Sequence, residues 1–279
     1  MTEKNNYNFV DTHCHMNLLI KKDFDTALTT QEIDQAKPII TEAYQAGVKQ
    51  IINVGTNLIE SKNCIALAQQ YENLYAIVGI HPTDLQEDWR EEFESIKKLI
   101  TEKEKNKIVA IGEVGIDLYR PGYHLERQCD GFRQQIEYAL SCDLPVVIHT
   151  RAAPEETLAI LQDYKNTSLK GVIHCFPYDQ SFADEVIKLN FYLGIGGVVT
   201  YPKNISLQKL IQQISLNHIV LETDAPFLPP QTIRGKQNRP SQILTIAQFI
   251  ADLRKEPLAT IAMMTTCNAQ KLFKILPIL

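Results

Sequence analysis

The 279-residue chain has no Cys-x-x-Cys pair, no Gly/Ser-rich linker and no apolar run of the roughly 20 residues that span a bilayer. Its six cysteines are scattered, which is typical of reduced thiols in a cytosolic protein and not of a disulfide framework. The polar start MTEKNNYN has no apolar segment of a secretory signal. We therefore expect a soluble cytoplasmic protein without a membrane partner.

The chain also has no excess of positive charge. Lysine and arginine number 28 against 33 acidic residues, a formal net charge of −5. This balance argues against broad coating of nucleic acid, because such binding depends on lysine and arginine neutralising phosphates. It leaves room for a locally basic groove, and it suits a site that concentrates carboxylates around cations.

Eight short β-rich apolar runs alternate with helical patterns. Hydrophobic residues make up 44% of the chain, an ordinary globular composition. The length suits a single domain over residues 1–279, since one α/β barrel needs about 250 residues. The predicted strands are 8–15, 50–55, 75–82, 107–117, 144–150, 170–176, 190–197 and 217–227. The predicted helices between them are 31–46, 57–72, 90–105, 124–142, 154–165, 180–190 and 205–215.

Most of the eight runs are apolar almost throughout, as in strands that are covered on both faces. Strands alternating with helices predict a parallel sheet, and the count of eight favours closure into a (β/α)8 TIM barrel. Two further helices, 241–254 and 257–275, follow the last strand. An open doubly wound sheet is the alternative.

Histidines and acidic residues collect where the predicted strands end, which is where α/β barrels carry their active sites. Five of the seven histidines lie at such ends. The set comprises His13 and His15 of "FVDTHCHMN", His81, Glu113 and Asp117 on strand four, His149, His174 and Asp224. Cys14 and Cys175, beside these histidines, are expected to point into the apolar layer behind the strand.

Imidazole nitrogen and carboxylate oxygen are ligands for divalent transition-type cations. His13 and His15 alternate with Cys14, so both rings share one strand face and can bind one ion. Four histidines and two carboxylates are too many for one catalytic ion with an open position. They suit two ions about 3.5–4 Å apart, bridged by a carboxylate and holding a hydroxide for hydrolysis. Asp224 is also a candidate general base.

The motifs now point to a family. "FVDTHCHMN", "VGIHPTD", "AIGEVGIDLY", "LPVVIHTRAA", "GVIHCF" and "LETDAPFLPP" followed by "RGKQNRPS" resemble, in order and spacing, the TatD family of metal-dependent deoxyribonucleases. That family belongs to the amidohydrolase-like barrels. The resemblance extends from about residue 8 to 273, almost the whole chain. It implies cleavage of DNA ends, with 3′→5′ exonuclease action on single strands, and magnesium, manganese or zinc as cofactor.

The resemblance also assigns roles to residues. It implies that His13, His15, Glu113 and Asp224 hold one ion, and that Glu113 bridges to a second ion held with His149 and His174. It implies that His81 contacts the scissile phosphate and binds no metal. Glu113, Asp224 and His81 are thus the implied catalytic residues.

Basic residues near the site suggest substrate contacts. The loop "IRGKQNRP" carries Arg234, Lys236 and Arg239, and Arg151 adds a cation beside the fifth strand. We expect these four to contact phosphates, the alternative being a solvated basic loop. Three loop tyrosines are candidates to stack on bases: Tyr119, Tyr178 and Tyr201.

The chain departs from the family pattern in three places. "HCFPYDQ" lacks the usual small hydroxyl-bearing turn after His174, and Ala152 follows "HTR" where an acidic residue is common. Arg239 stands where many members carry an acid. None of these changes touches a predicted metal ligand.

Two other functions stay open. The same metal chemistry would serve an ester or amide hydrolase, such as a D-aminoacyl-tRNA deacylase or a small-molecule amidohydrolase. A catalytically silent barrel that binds partners is disfavoured, because binding alone would not require four histidines and two carboxylates. No obligatory protein partner is inferred.

Overall fold

The computed structural model describes residues 7–21, 23–119 and 121–278. Within them, eight parallel strands form one sheet whose spatial order is the chain order. The strands are β1 (Phe9–Cys14), β2 (Val48–Val54), β3 (Leu74–Val78), β4 (Ile108–Asp117), β5 (Val146–Arg151), β6 (Gly171–Ile173), β7 (Phe191–Ile195) and β8 (Ile219–Leu221).

Helices lie between consecutive strands and after the last one, mostly at the positions where the sequence pattern predicts them. They are α1 (Met16–Ile20), α2 (Thr30–Asp34), α3 (Ala36–Gln45), α4 (Leu58–Gln70), α5 (Trp89–Ile100), α6 (Leu125–Ser141), α7 (Pro154–Asp163), α8 (Gln180–Lys188), α9 (Ile205–Gln213), α10 (Ile243–Arg254) and α11 (Leu258–Phe273). Side-chain caps begin several of them, including Asn57 at α4 and Asp179 at α8. The two C-terminal helices are confirmed. None of the helices in the described part of the chain is long and apolar enough to cross a membrane.

The sheet closes between its first and last strands. His15 N donates to Ala225 O at 2.7 Å, and Asp224 N donates to His13 O at 2.8 Å. Deeper in the barrel, Thr12 Oγ1 donates to Leu221 O at 3.0 Å. These bonds join β1 to the end of β8, so the predicted (β/α)8 barrel is confirmed and the open sheet is excluded.

Apolar side chains of most strands alternate between two clusters. In β2, Ile52 and Val54 belong to an inner cluster, while Ile51 packs in the outer cluster with the helices. The inner cluster also contains Leu272 and Phe273 at the end of α11. This period-2 division is what a barrel filled with side chains and surrounded by helices requires.

Three details differ from the sequence prediction. The segment predicted as one helix over 31–46 is divided into α2 and α3, and α1 was not predicted. Strands β6 and β8 have only three residues each and end before His174 and Asp224. The short strands place both predicted ligands on loops at the mouth, where the backbone can turn the side chains inward.

Candidate metal centre at the barrel mouth

The four predicted histidine ligands converge on a fifth predicted ligand, Glu113, which lies within β4. Its Oε2 lies 3.4 Å from His13 Nε2 and 3.9 Å from His15 Nε2. Its Oε1 lies 2.8 Å from His149 Nδ1 and 3.3 Å from His174 Nε2. The two oxygens of one carboxylate therefore face two different pairs of histidines.

The first group comprises His13, His15, Asp224 and Glu113 Oε2. The Nε2 atoms of His13 and His15 lie 3.2 Å apart, and Asp224 Oδ1 lies 3.7 and 3.4 Å from them. His15 Nδ1 lies 3.0 Å from Val54 O, which can only accept a hydrogen bond. The proton is thus on Nδ1 in neutral His15, and the Nε2 lone pair faces the other donor atoms. Convergent lone pairs of this kind fit a divalent cation.

The second group comprises His149, His174 and Glu113 Oε1, with an acid behind each histidine. Asp117 Oδ2 lies 3.1 Å from His149 Nε2, and Glu222 Oε1 lies 3.2 Å from His174 Nδ1. The contact of His149 with Asp117 is a hydrogen bond and that of His174 with Glu222 is an ion pair. A carboxylate beside one ring nitrogen leaves the other nitrogen to face the site, an arrangement typical of metal-binding histidines. Glu222 was missed from the sequence, although it lies in the motif "LETDAPF".

His81 approaches the same carboxylate in a different way. Its Nε2 lies 3.8 Å from Glu113 Oε1, but Thr83 N donates to its Nδ1 at 3.2 Å. Nδ1 is therefore the acceptor, and neutral His81 carries its proton on Nε2, facing the site. Burial, together with the charge of His149, lowers the pKa of His81 to about 3. Neutral His81 thus presents an N–H to the site in this arrangement, although its ligand atom also lies close enough to those of Glu113 and His149 for the three to hold a metal ion.

The charges of the cluster are mutually compensating. Burial opposes ionisation of Glu113, but the neighbouring histidines, His174 foremost, hold its pKa well below the usual value. Burial likewise opposes the charge on His174, yet Glu113 and Glu222 raise its pKa to about 10. The pKa of His149 is raised by Asp117 and Glu113 against the effect of burial. The cluster therefore favours ionised carboxylates beside protonated imidazoles when no cation is bound.

A buried acid, Asp11, connects the backbone segments that carry His13 and Asp224. Asp11 on β1 accepts hydrogen bonds from Thr223 N at 2.9 Å, Thr223 Oγ1 at 2.6 Å and His13 N at 3.3 Å. Burial raises the pKa of Asp11 to about 8. Asp11 thus positions the Asp224 loop against His13 without facing the metal site itself.

A cavity of about 600 Å³ opens above the metal residues. Arg151 lines it, with its guanidinium carbon 3.8 Å from the centre of the Tyr119 ring. Arg234 lies outside it, stacked at 4.3 Å on Tyr201 beside a separate surface pocket. Lys236 is exposed. Of the four predicted cations, the structure thus brings only Arg151 into the lining of the central cavity.

The expectations for Arg239 and Cys175 need correction, while base stacking by Tyr178 stays a prediction. Arg239 does not line the cavity, because its guanidinium pairs with Glu42 on α3 at 3.1 Å. Tyr178 lines the cavity, but its hydroxyl bonds to Thr150 Oγ1 and its ring packs on Phe182, so it is part of the structural framework. The prediction that Cys175 points into the apolar layer is wrong: a left-handed backbone at Cys175 (φ 46°) turns it into the cavity lining. Cys14 is buried in the core as predicted.

A closed α/β barrel with imidazoles and carboxylates at its mouth has the architecture of a metal-dependent hydrolase. Comparison with known proteins agrees. The family model described as TatD related DNase matches residues 10–274. The chain belongs to this family.

Known relatives align with this chain over most of its length and of their own. The chain is 34% identical to the uncharacterized metal-dependent hydrolase YabD of Bacillus subtilis, over 95% of this chain and 98% of the relative. It is 33% identical to the 3′-5′ ssDNA/RNA exonuclease TatD of Citrobacter rodentium, over 88% of this chain and 95% of the relative. The crystal structure of YjjV, a TatD homolog from Escherichia coli, superimposes with a TM-score of 0.85 at 31% identity, over 96% and 98% of the two chains.

Proposed function

We propose that this hydrolase is a deoxyribonuclease that removes nucleotides from single-stranded DNA ends in the 3′→5′ direction. The observation that carries the proposal is the placement of Glu113, whose oxygens face two separate pairs of histidines at 2.8 to 3.9 Å. A relative that is 33% identical carries the name of a 3′-5′ ssDNA/RNA exonuclease, which supports the substrate and the direction.

The donor atoms suit two divalent cations of magnesium, manganese or zinc type. His13, His15, Asp224 and Glu113 Oε2 would hold one, and His149, His174 and Glu113 Oε1 the other. Such ions supply an activated water and neutralise charge on the reacting phosphate. Asp224, at the edge of the cavity, is the proposed general base that takes the proton of the attacking water.

Three further groups would act on the DNA. The Nε2–H of neutral His81 points to the centre and would donate to an oxygen of the scissile phosphate. Arg151 would bind a neighbouring phosphate at the cavity rim. Arg234 and Lys236, outside the central cavity, are proposed contacts for more distant phosphates.

The test is digestion of single-stranded DNA labelled at its 3′ or 5′ end, with Mg²⁺, Mn²⁺ or Zn²⁺. The wild type should shorten the strand from the 3′ end, and Glu113→Ala should not. Glu42→Ala, which changes a surface acid on α3, is the matched control. Equal activity of Glu113→Ala and wild type would overturn the metal assignment. Turnover of D-aminoacyl-tRNA or simple esters without DNA cleavage would instead favour the ester or amide hydrolase.

A further inference from the structure

Large apolar side chains are exposed on one side of the cavity rim. Phe24 is 66% exposed, Phe227 46% and Leu228 37%, and all three line the cavity that contains the metal residues. Phe24 follows β1 in the chain, and Phe227 and Leu228 follow β8. Since β1 and β8 meet where the barrel closes, these side chains share one sector of the rim.

The opposite sector carries one cation, Arg151, which lines the cavity together with Asp117 of β4. Arg151 ends β5 and stacks on Tyr119, which follows β4. In a barrel of eight strands in sequential order, β4 and β5 lie across the mouth from β8 and β1. A ligand that reaches from one sector to the other must cross the carboxylate of Glu113 and the histidines around it.

Specific contacts hold the Phe227 ring and the loop that carries Phe24. The Phe227 ring lies edge-on to His15, with 5.9 Å between centroids, and Phe227 O accepts a 2.7 Å hydrogen bond from Asn238 Nδ2. The loop that contains Phe24 is held by hydrogen bonds to α4. There, buried Glu60 accepts from Lys21 Nζ and from Asp25 N at 2.9 Å.

We propose that Phe24 and Phe227 form a stacking platform for the nucleobase beside the scissile phosphodiester, while Arg151 binds the phosphate chain across the mouth. This inference rests on the proposed nuclease function. Aromatic faces accept every base and prefer none strongly, so the platform would bind single strands with little sequence preference. Bases paired within a duplex keep their faces stacked on one another, so the platform would select unpaired ends.

The test compares oligonucleotides that differ only by removal of one base. Single strands carry either a normal nucleotide or an abasic tetrahydrofuran at the last or penultimate 3′ position. The readout is the ratio of kcat/KM on the base-bearing strand to kcat/KM on the abasic strand. We expect a ratio of about 5 to 140 for the wild type, the range that base–aromatic stacking gives.

The variants distinguish stacking on an aromatic ring from contact with any apolar side chain. Phe24→Ala and Phe227→Ala should bring the ratio towards 1, and Phe24→Leu and Phe227→Leu should lower it almost as far. Tyr44→Ala, at an exposed aromatic residue on α3, should leave the ratio unchanged.

Each contrary result has a separate meaning. If the wild-type enzyme cleaves the base-bearing and the abasic oligonucleotides equally well, the stacking platform is excluded and the nuclease function is not affected. Leucine variants with the wild-type ratio would also overturn it, because the patch would then act without aromatic faces. A wild-type enzyme that cleaves neither strand with any of the three metals would overturn the proposed function and this inference together.

Discussion

Glu222 Oε1 lies 3.2 Å from Nδ1 of His174, and both side chains are buried in the wall of the metal site. The same oxygen accepts a hydrogen bond from Cys175 N. Gly194 on the neighbouring strand β7 leaves room for the acid, since a Cβ at that position would collide with Glu222 Oε2. Neighbouring strands thus place a carboxylate directly behind one proposed ligand.

Replacing Glu222 by glutamine should weaken metal binding. The substitution Glu222→Gln keeps the shape of the side chain and removes the charge that orients His174 and raises its basicity. Changes to such outer partners typically reduce metal affinity about 10- to 100-fold. Titration calorimetry with Mn²⁺ or Zn²⁺ measures the change, and Glu185→Gln, in a surface pair with Lys188, is the control. Unchanged affinity would mean that the backbone alone positions His174.

Metal binding should release protons. In the metal-free protein His174 lies between Glu113 and Glu222, and its pKa is raised to about 10. His149, between Glu113 and Asp117, also has a raised pKa. A ligating imidazole must be neutral, so the cation displaces these protons. Since the protonated form competes with the metal, affinity should increase with pH until the pH passes the pKa of His174.

Calorimetry in two buffers of different ionisation enthalpy counts the released protons. The apparent binding enthalpy should differ between the buffers at pH 8. The difference should shrink in His174→Gln, which cannot carry the imidazole proton. Identical enthalpies in both buffers would contradict this account of the cluster.

The strand order and the convergence of the candidate metal residues could be predicted from the sequence for one physical reason. Parallel strands in a barrel bring their carboxyl ends to one mouth, so residues far apart in the chain share a destination. His13, His149 and Asp224 could be placed there without knowledge of any distance between them. The residue types then indicated a cation.

The features that the sequence could not predict are contacts between side chains on different strands. Glu222 acts through His174, and only the packing of β6, β7 and β8 makes that pair. The path of the loop after β8 likewise decides that Arg239 meets Glu42 and not the cavity. Cys175 departs from strand alternation because β6 ends two residues before it.

Arg151 and Arg239 should differ in their effect on the salt dependence of DNA binding. Arg151 lines the cavity, so Arg151→Gln should remove one phosphate contact and reduce the slope of log K against log salt by about 0.7 for single-stranded DNA. Arg239→Gln should leave the slope unchanged, since its guanidinium pairs with Glu42. Fluorescence anisotropy with a labelled oligonucleotide, in Ca²⁺ to prevent turnover, measures both slopes. If Arg239→Gln reduced the slope more than Arg151→Gln does, the DNA phosphates would instead lie along the loop after β8.

Asn268 should matter for stability and not for the metal site. It is buried on α11, and its Nδ2 donates to Leu216 O at 2.7 Å and Ile219 O at 2.8 Å, which attaches the last helix to the start of β8. Asn268→Ala would leave both carbonyls without this donor, so the free energy of unfolding should fall by about 1–3 kcal/mol. Asn268→Asp should be more destabilising, because its carboxylate would face two acceptors. Urea denaturation measures the change, with Cys267→Ala at the adjacent exposed position as control. The metal content of the folded variant should equal that of the wild type, because the start of β8 is at the opposite end of the barrel from Asp224. A reduced metal content with unchanged unfolding free energy would show that α11 acts on the site.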